Sequence, residues 1–268
     1  MQIHLLVIDP QIDFCDPSGN LYVPGAEEDM KRLATMVSTL GGRLDDIHVT
    51  LDSHLPLHIA HPVMWIDSNM KNPDPFTLIS ADDIKAGKWR LIKPLKKDGV
   101  PYDLYYTQEL EKNGRYVLCI WPPHCLIGST GHAIYPILQE ELIKWQNKNL
   151  SYARYVSKGS NLLTEHYSAI KADVEDPSDP TTQLNMQVIS LLQDPEIQDI
   201  LIAGEASSHC VYNTIVDIAD NFGEENIKKF IFLEDASSAV PGFENLADEF
   251  VSKMTARGMR ISKTTDYA

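Results

Sequence analysis

Cys210 stands at the end of Gly204-Glu205-Ala206-Ser207-Ser208-His209-Cys210, after the apolar run Ile200–Ala203 and before a helix-period segment carrying Val211, Ile215, Ile218 and Ala219. A cysteine at a helix N-terminus meets unpaired backbone N–H groups and the positive end of the helix dipole. Both favour thiolate over thiol, the form a sulfur nucleophile needs. A small buried cysteine is the plainer reading; the strand-turn-helix setting favours the catalytic one. Asp9 follows another apolar run, Ile3–Ile8, and Lys158 follows Tyr152–Val156 with Gly159 allowing close approach. An aspartate after a strand is ordinarily a turn former or cap, which suits Asp13 better than Asp9. A lysine alone would be solvated, yet its place after a strand makes Lys158 a partner for a thiolate and a carboxylate.

A second constellation has metal-ligand chemistry. Asp52-Ser53-His54 ends a strand-like run, and His58 and His61 follow. Asp and His one residue apart on an extended chain project to the same side, so both can reach one ion. Trp121-Pro122-Pro123-His124-Cys125 offers His124 on a stiff segment. Three imidazoles and a carboxylate suit a divalent metal, zinc first, with iron and manganese as alternatives. A His-rich surface loop is the plain alternative.

Elements must bring these residues together. Apolar runs alternate with amphipathic segments, the pattern of a parallel sheet flanked by helices. Strands are expected at Ile3–Ile8, Asp46–Leu51, Ser151–Val156, Asp199–Ala203, Lys229–Leu233 and Met259–Ile261. Helices are expected at Glu27–Leu40, His132–Asn147, Thr182–Leu192, His209–Asn221 and Asn245–Arg257. Function in such sheets collects at the carboxyl ends of strands. At about 30 residues per βα unit, six strands use roughly 180 to 200 residues. The surplus lies at 62–118, where only Tyr102–Asn113 has a convincing helical pattern. This stretch reads as an insertion into a single domain spanning residues 1–268.

Composition bounds the partners. The chain of 268 residues is 43% hydrophobic and 23% charged, as expected of a folded soluble protein. A net charge of −15 disfavours nucleic acid and anionic lipid. No apolar run reaches the ~18 residues of a membrane helix, and Ile3–Ile8 lacks the flanks and length of a signal peptide. Four cysteines are too few for a disulfide scaffold, which points to a reducing cytoplasm.

Asp9-x-Gln11-x-Asp13-Phe14, Asp52-x-His54, Trp121-Pro-Pro-His124-Cys125, Lys158-Gly159, Tyr167-Ser-Ala and Ala206-x-x-x-Cys210 together resemble the isochorismatase-like cysteine hydrolases, and among these the nicotinamidases. The resemblance spans both ends of the chain in order and leaves only the insertion unmatched. It implies a three-layer α/β/α fold with a six-stranded parallel sheet in the order 3-2-1-4-5-6. It also implies a catalytic triad of Asp9, Lys158 and Cys210, and metal ligands Asp52, His54 and His124 with His58 as a possible fourth. An oxyanion hole would come from the backbone N–H groups of Ala206 and Cys210, with a cis peptide at Glu205-Ala206. The implied reaction is metal-dependent hydrolysis of nicotinamide through a cysteine thioester, in a pocket walled by Phe14, Trp121 and Tyr167, on a small-molecule amide and in a homo-oligomer.

Ser53, Pro56 and Ser207-Ser208 depart from the usual pattern and touch the pocket rather than the triad. The insertion begins just after the metal segment and returns at His124, so a lid or subunit contact is expected of it. Hydrolysis of another small amide or carbamoyl compound, or a non-catalytic binding role on the same fold, are the alternatives. Loss of activity on chelation separates the first of these from nicotinamide hydrolysis, and an unreactive Cys210 would mark the second.

Overall fold

The computed structural model describes residues 2–112 and 116–267. Strands β1 (Gln2–Ile8), β2 (Asp46–Asp52), β3 (Arg154–Lys158), β4 (Ile197–Gly204), β5 (Phe230–Leu233) and β6 (Arg260–Ser262) form one sheet in the order β3-β2-β1-β4-β5-β6. Every neighbouring pair is parallel, as expected. From His4 to Ile8, β1 is buried on both faces, which explains why it reads as a continuous apolar run rather than an alternating one.

The principal helices are α1 (Ala26–Leu40), α2 (Tyr102–Lys112), α3 (Pro136–Asn149), α4 (Met186–Leu192), α5 (Cys210–Asp220) and α6 (Glu244–Ala256). In α1, Met30, Leu33, Ala34 and Val37 are all buried, three acidic residues occupy the first turn where the dipole favours them, and Gly41 ends the helix at φ 51°. α1 packs against α3, and α5 against α6, so helical layers enclose the sheet.

Three boundaries lie three or four residues from expectation, each for a local reason. Pro136 starts α3 at a position where its missing N–H costs nothing, leaving 130–132 as a separate turn. Asn185 accepts from the Val188 N–H and caps α4, so that helix starts four residues later than expected. Leu150 takes a left-handed conformation at the end of α3, and the chain reaches β2 only at Arg154, opposite His48. Lys158 is therefore the last residue of β3, paired with Asp52, rather than a loop residue beyond the strand.

Within 62–118, Trp65–Ile66 pairs with Arg90–Leu91 and Leu78–Ile79 with Leu118–Cys119. A short helix at Ala81–Lys85, capped reciprocally by Ser80 and Asp83, was not expected. The expected end of α2, Asn113, lies outside the described residues. Trp65, Ile79, Leu91, Tyr106 and Leu110 join the apolar cluster that runs through the sheet. Among the described residues no helix is long and apolar enough to cross a membrane.

Candidate active site and metal centre

The carboxyl ends of β1, β2, β3 and β4 converge where the strand order reverses. Asp9 leaves β1 at φ 44° and is fully buried. Its Oδ1 accepts from Thr50 Oγ1 at 2.5 Å, which turns Oδ2 toward Lys158 Nζ at 2.9 Å. The same ammonium lies 3.1 Å from Asp52 Oδ1, donates to His166 O at 2.8 Å and stands 3.6 Å from Cys210 Sγ. Asp9, just beyond β1, and Cys210, at the start of α5, thus meet at Lys158 of β3.

The electrostatics follow from burial and from this single cation. Burial alone would lower the Lys158 ammonium, but the Asp52 and Asp9 carboxylates outweigh it and hold it well above the usual lysine range. Burial raises Asp9, with Lys158 opposing. Burial also pushes the Cys210 thiol well above its ordinary value, against the pull of Lys158 and with Asp9 and Asp52 adding to the rise. Burial thus works against the thiolate that the helix N-terminus and Lys158 favour, with the two carboxylates adding to it.

Gln11 explains the Asp-x-Gln-x-Asp motif. Its side chain donates to Asp52 O and accepts from Asp52 N, both at 2.7 Å, clamping the backbone at the end of β2. Asp13 takes the structural role expected of it, accepting from Asn20 N and, at 2.7 Å, from Cys125 N. His54 N donates to Cys125 O and Ile127 N to His54 O, so the two histidine segments lie side by side.

Asp52, His54 and His124 present ligand atoms to one another, and His54, His58 and Glu165 form an adjoining group. Backbone carbonyls only accept, so each contact with an imidazole nitrogen identifies a donating N–H. His54 Nδ1 donates to Gly159 O at 3.0 Å, His124 Nδ1 to Pro122 O at 2.8 Å and His61 Nδ1 to Pro56 O at 3.3 Å. Three Nε2 atoms are thereby left facing inward, the outer-sphere arrangement typical of metal-bound imidazoles. Nε2 of His54 and of His124 lie 3.0 and 3.3 Å from Asp52 Oδ2. A lone pair against a carboxylate oxygen needs a proton or a metal ion between them, so the residues fit a divalent cation. Burial would lower His54, but Asp52 outweighs it and raises it.

His61 Nε2 is buried with no hydrogen-bond partner, 5.9 Å separates its ring centre from that of His124, and burial lowers its pKa to about 3. His58, the fourth ligand considered from sequence, has both nitrogens engaged: Nε2 donates to Thr164 O and Nδ1 accepts from Ala60 N. Gly159 holds φ 81° against this cluster, where a β-carbon would lie 2.7 Å from Asp52 Oδ1 and 2.9 Å from a His54 ring carbon.

A pocket of about 380 Å³, counting space open to solvent, joins the two constellations. This is at the low end for ligand sites, ~300–1,000 Å³, and suits a single-ring ligand. Phe14, Trp121 and Tyr167 line it as expected, with Trp121 Nε1 donating to Tyr167 Oη at 3.0 Å. Leu21, Val23, Glu165, His209 and Val240 line it too and were not foreseen. Burial lowers His209 to about 3, and its ring stacks on Tyr116 at 14° between the planes. Ser53 bonds His132, whereas Ser208 holds His209 Nδ1 and accepts from Val240 N.

Ala206 and Cys210 both border the pocket, and the Glu205-Ala206 peptide is cis. Ser238 fastens this loop: its N–H donates to Glu205 Oε2, its carbonyl accepts from Ser207 N, and its hydroxyl donates to Asp29 Oδ2 at 2.5 Å. Buried Glu205 is raised well above its ordinary value by burial and then by Asp29.

The six-stranded parallel sheet with its enclosing helices is the isochorismatase-like fold. No family model matches the chain. Its likeness runs to the nicotinamidases. It is 23% identical over 213 residues to the Escherichia coli (strain K12) nicotinamidase, covering 80% of this chain and 74% of that one. It is 22% identical over 216 residues to the Saccharomyces cerevisiae enzyme, covering 81% of each. The solved yeast nicotinamidase bound to nicotinaldehyde superposes with a TM-score of 0.67 at 18% identity, covering 98% of this chain and all of that one. The Acinetobacter baumanii nicotinamidase/pyrazinamidase does so at 0.66 and 20%, covering 100% and 98%. A Pyrococcus horikoshii pyrazinamidase in complex with zinc does so at 0.57 and 18%, covering 98% and 99%.

Proposed function

We propose that the chain hydrolyses nicotinamide to nicotinate and ammonia through a thioester on Cys210. One observation carries this reading: a single buried ammonium, Lys158, lies between the carboxylate of Asp9, the sulfur of Cys210 and the metal-facing carboxylate of Asp52. Nucleophile, base and metal set are thereby one unit. Relatives named nicotinamidases support this choice of substrate.

Asp9 Oδ2 takes the Cys210 proton as sulfur attacks the amide carbon, so thiolate forms only during attack. The backbone N–H groups of Ala206 and Cys210 receive the developing oxyanion. Asp9 returns the proton to the amide nitrogen, which leaves as ammonia as the carbon–nitrogen bond breaks. Water then attacks the thioester with Asp9 accepting its proton. The acid departs, and the sulfur regains a proton from Asp9. Thr50 keeps Oδ2 aimed at these groups throughout. Asp52, His54 and His124 would hold a divalent metal, and we assign the fourth place to His61 rather than His58. When bound, such an ion, zinc by analogy with the Pyrococcus protein, would supply Lewis acidity toward a ring nitrogen of the substrate. Phe14, Trp121 and Tyr167 wall the ring.

The four cysteines are free and buried, which supports a reducing cytoplasm. The insertion is proposed to close one side of the pocket: Phe76 meets Trp121 edge-on and Tyr116 stacks on His209. A homo-oligomer is also proposed, to be read by sedimentation. The reaction is tested by ammonia release from nicotinamide, pyrazinamide and unrelated amides, with and without chelator, by wild type and Cys210→Ala. Turnover of nicotinamide that vanishes in Cys210→Ala is expected; none from metal-loaded wild type refutes the reading.

A further inference from the structure

At the opposite end of the sheet, His4 of β1 and Asp46 and His48 of β2 lie on one face and bring their polar atoms together. Along β2, Asp46 and His48 lie six and four positions before Asp52, roughly 20 and 13 Å at the strand rise of ~3.3 Å per residue. The cluster is thus remote from the catalytic end. We propose that His4, His48 and Asp46 form a second divalent-metal site, of the kind that takes zinc, clamping the amino ends of β1 and β2.

The distances carry the proposal. His4 Nδ1 lies 3.2 Å from His48 Nε2. Two nitrogens bound to one tetrahedral zinc at ~2.0–2.1 Å sit about 3.3 Å apart. Asp46 Oδ2 is 3.9 Å from His48 Nε2, so a modest side-chain shift completes a third ligand. Outer partners are already present. His4 Nε2 faces Gln2 Oε1 at 3.4 Å, which can only accept, so the lone pair falls on the metal-facing Nδ1. Asp46 accepts from Ile47 N at 2.9 Å and from Arg154 Nε at 2.6 Å. Arg154 orients the carboxylate by holding Oδ2, and its charge helps to keep both imidazoles neutral. Both imidazoles are nearly fully buried, and burial keeps them neutral and able to ligate, with His48 lowered to about 4. A groove between β3 and α4, lined by His48, Arg154, Asn185 and Leu191, gives an ion its way in.

The alternative is that His48 Nε2–H simply donates to His4 Nδ1 and the pair is complete without metal. Chelator-stripped full-length protein, dialysed against buffered zinc and assayed for metal per chain, separates the two. His48→Gln is expected to lose one equivalent relative to wild type and to keep wild-type hydrolysis. His124→Ala is expected to lose a different equivalent, and the double variant both. Where His48→Gln does not fold, His4→Gln and Asp46→Asn carry the same test, each with zinc affinity at this site at least tenfold weaker. Stoichiometry and zinc-induced melting shift equal to wild type in the foldable variants overturn the proposal. A wild-type chain that binds one equivalent, lost in His124→Ala and kept in His48→Gln, overturns it as well. One equivalent lost only in His48→Gln would instead count against the catalytic metal.

Discussion

Replacing Lys158 by methionine keeps the length of the side chain and removes the cation that Asp9 and Asp52 share at 2.9 and 3.1 Å. Both carboxylates are buried to within a few per cent, so water cannot take the lysine's place. Breaking a buried pair by deleting one partner costs about 3–5 kcal/mol, because a charge is left uncompensated. For a protein of this size each kcal/mol moves the midpoint by about 2–4 °C, so chelator-treated Lys158→Met should melt roughly 6–20 °C below wild type. Adding Asp9→Asn removes one of the stranded charges and should return a good part of that loss, although both variants are inactive. Differential scanning calorimetry on wild type, the two single variants and the double variant closes the cycle. A Lys158→Met midpoint within ~2 °C of wild type, or a double variant no more stable than the single, would refute the idea that one ammonium neutralises both carboxylates.

His61→Ala should weaken zinc binding at the catalytic end by roughly tenfold or more, and His58→Ala by much less, because His58 already spends both nitrogens on the protein; competition with a chromophoric chelator measures both. Glu205 has a folded pKa above its ordinary 4.5, so its contribution is intact below that pH and is lost as pH rises toward the folded value. Glu205→Gln, which stays neutral, should therefore gain in melting temperature over wild type progressively from pH 5 to pH 8, and parallel curves would count against a buried protonated carboxyl. Tyr116→Ala removes the ring stacked on His209 and should raise KM for nicotinamide severalfold with a smaller effect on kcat; unchanged steady-state kinetics would remove the insertion from the pocket wall.

The residues that announced themselves did so through local pattern. Asp9, Asp52 and Cys210 each follow an apolar run, and in an α/β chain that is a sheet's carboxyl edge. Lys158 was found for the same reason, although the strand carrying it begins three residues later than its apolar pattern, because a left-handed turn at Leu150 delays its pairing. Glu165 stayed hidden within a long irregular stretch where no period marks which side chains are buried. His61 was visible as a histidine, but only its bond to Pro56 O shows which nitrogen is left free. For Cys210 the sequence displays the helix start but neither the depth of burial, which raises the thiol, nor the two carboxylates beside it.

The central place of β1 also bears on how the chain is made. β1 leaves the ribosome before the other five strands of the sheet, yet one of its two neighbours, β4, ends at Gly204. At ~5–20 residues per second, synthesis leaves this largely apolar strand with a bare edge for roughly 10–40 seconds. An unpaired apolar edge is a template for pairing with other chains. Asp9, at the end of that strand, meets Lys158 and Cys210 only once the edge is closed. Enzymatic activity in a nascent or refolding chain is therefore a signal of a sealed sheet, and the yield of active protein is set by how well that one edge is shielded in the interval.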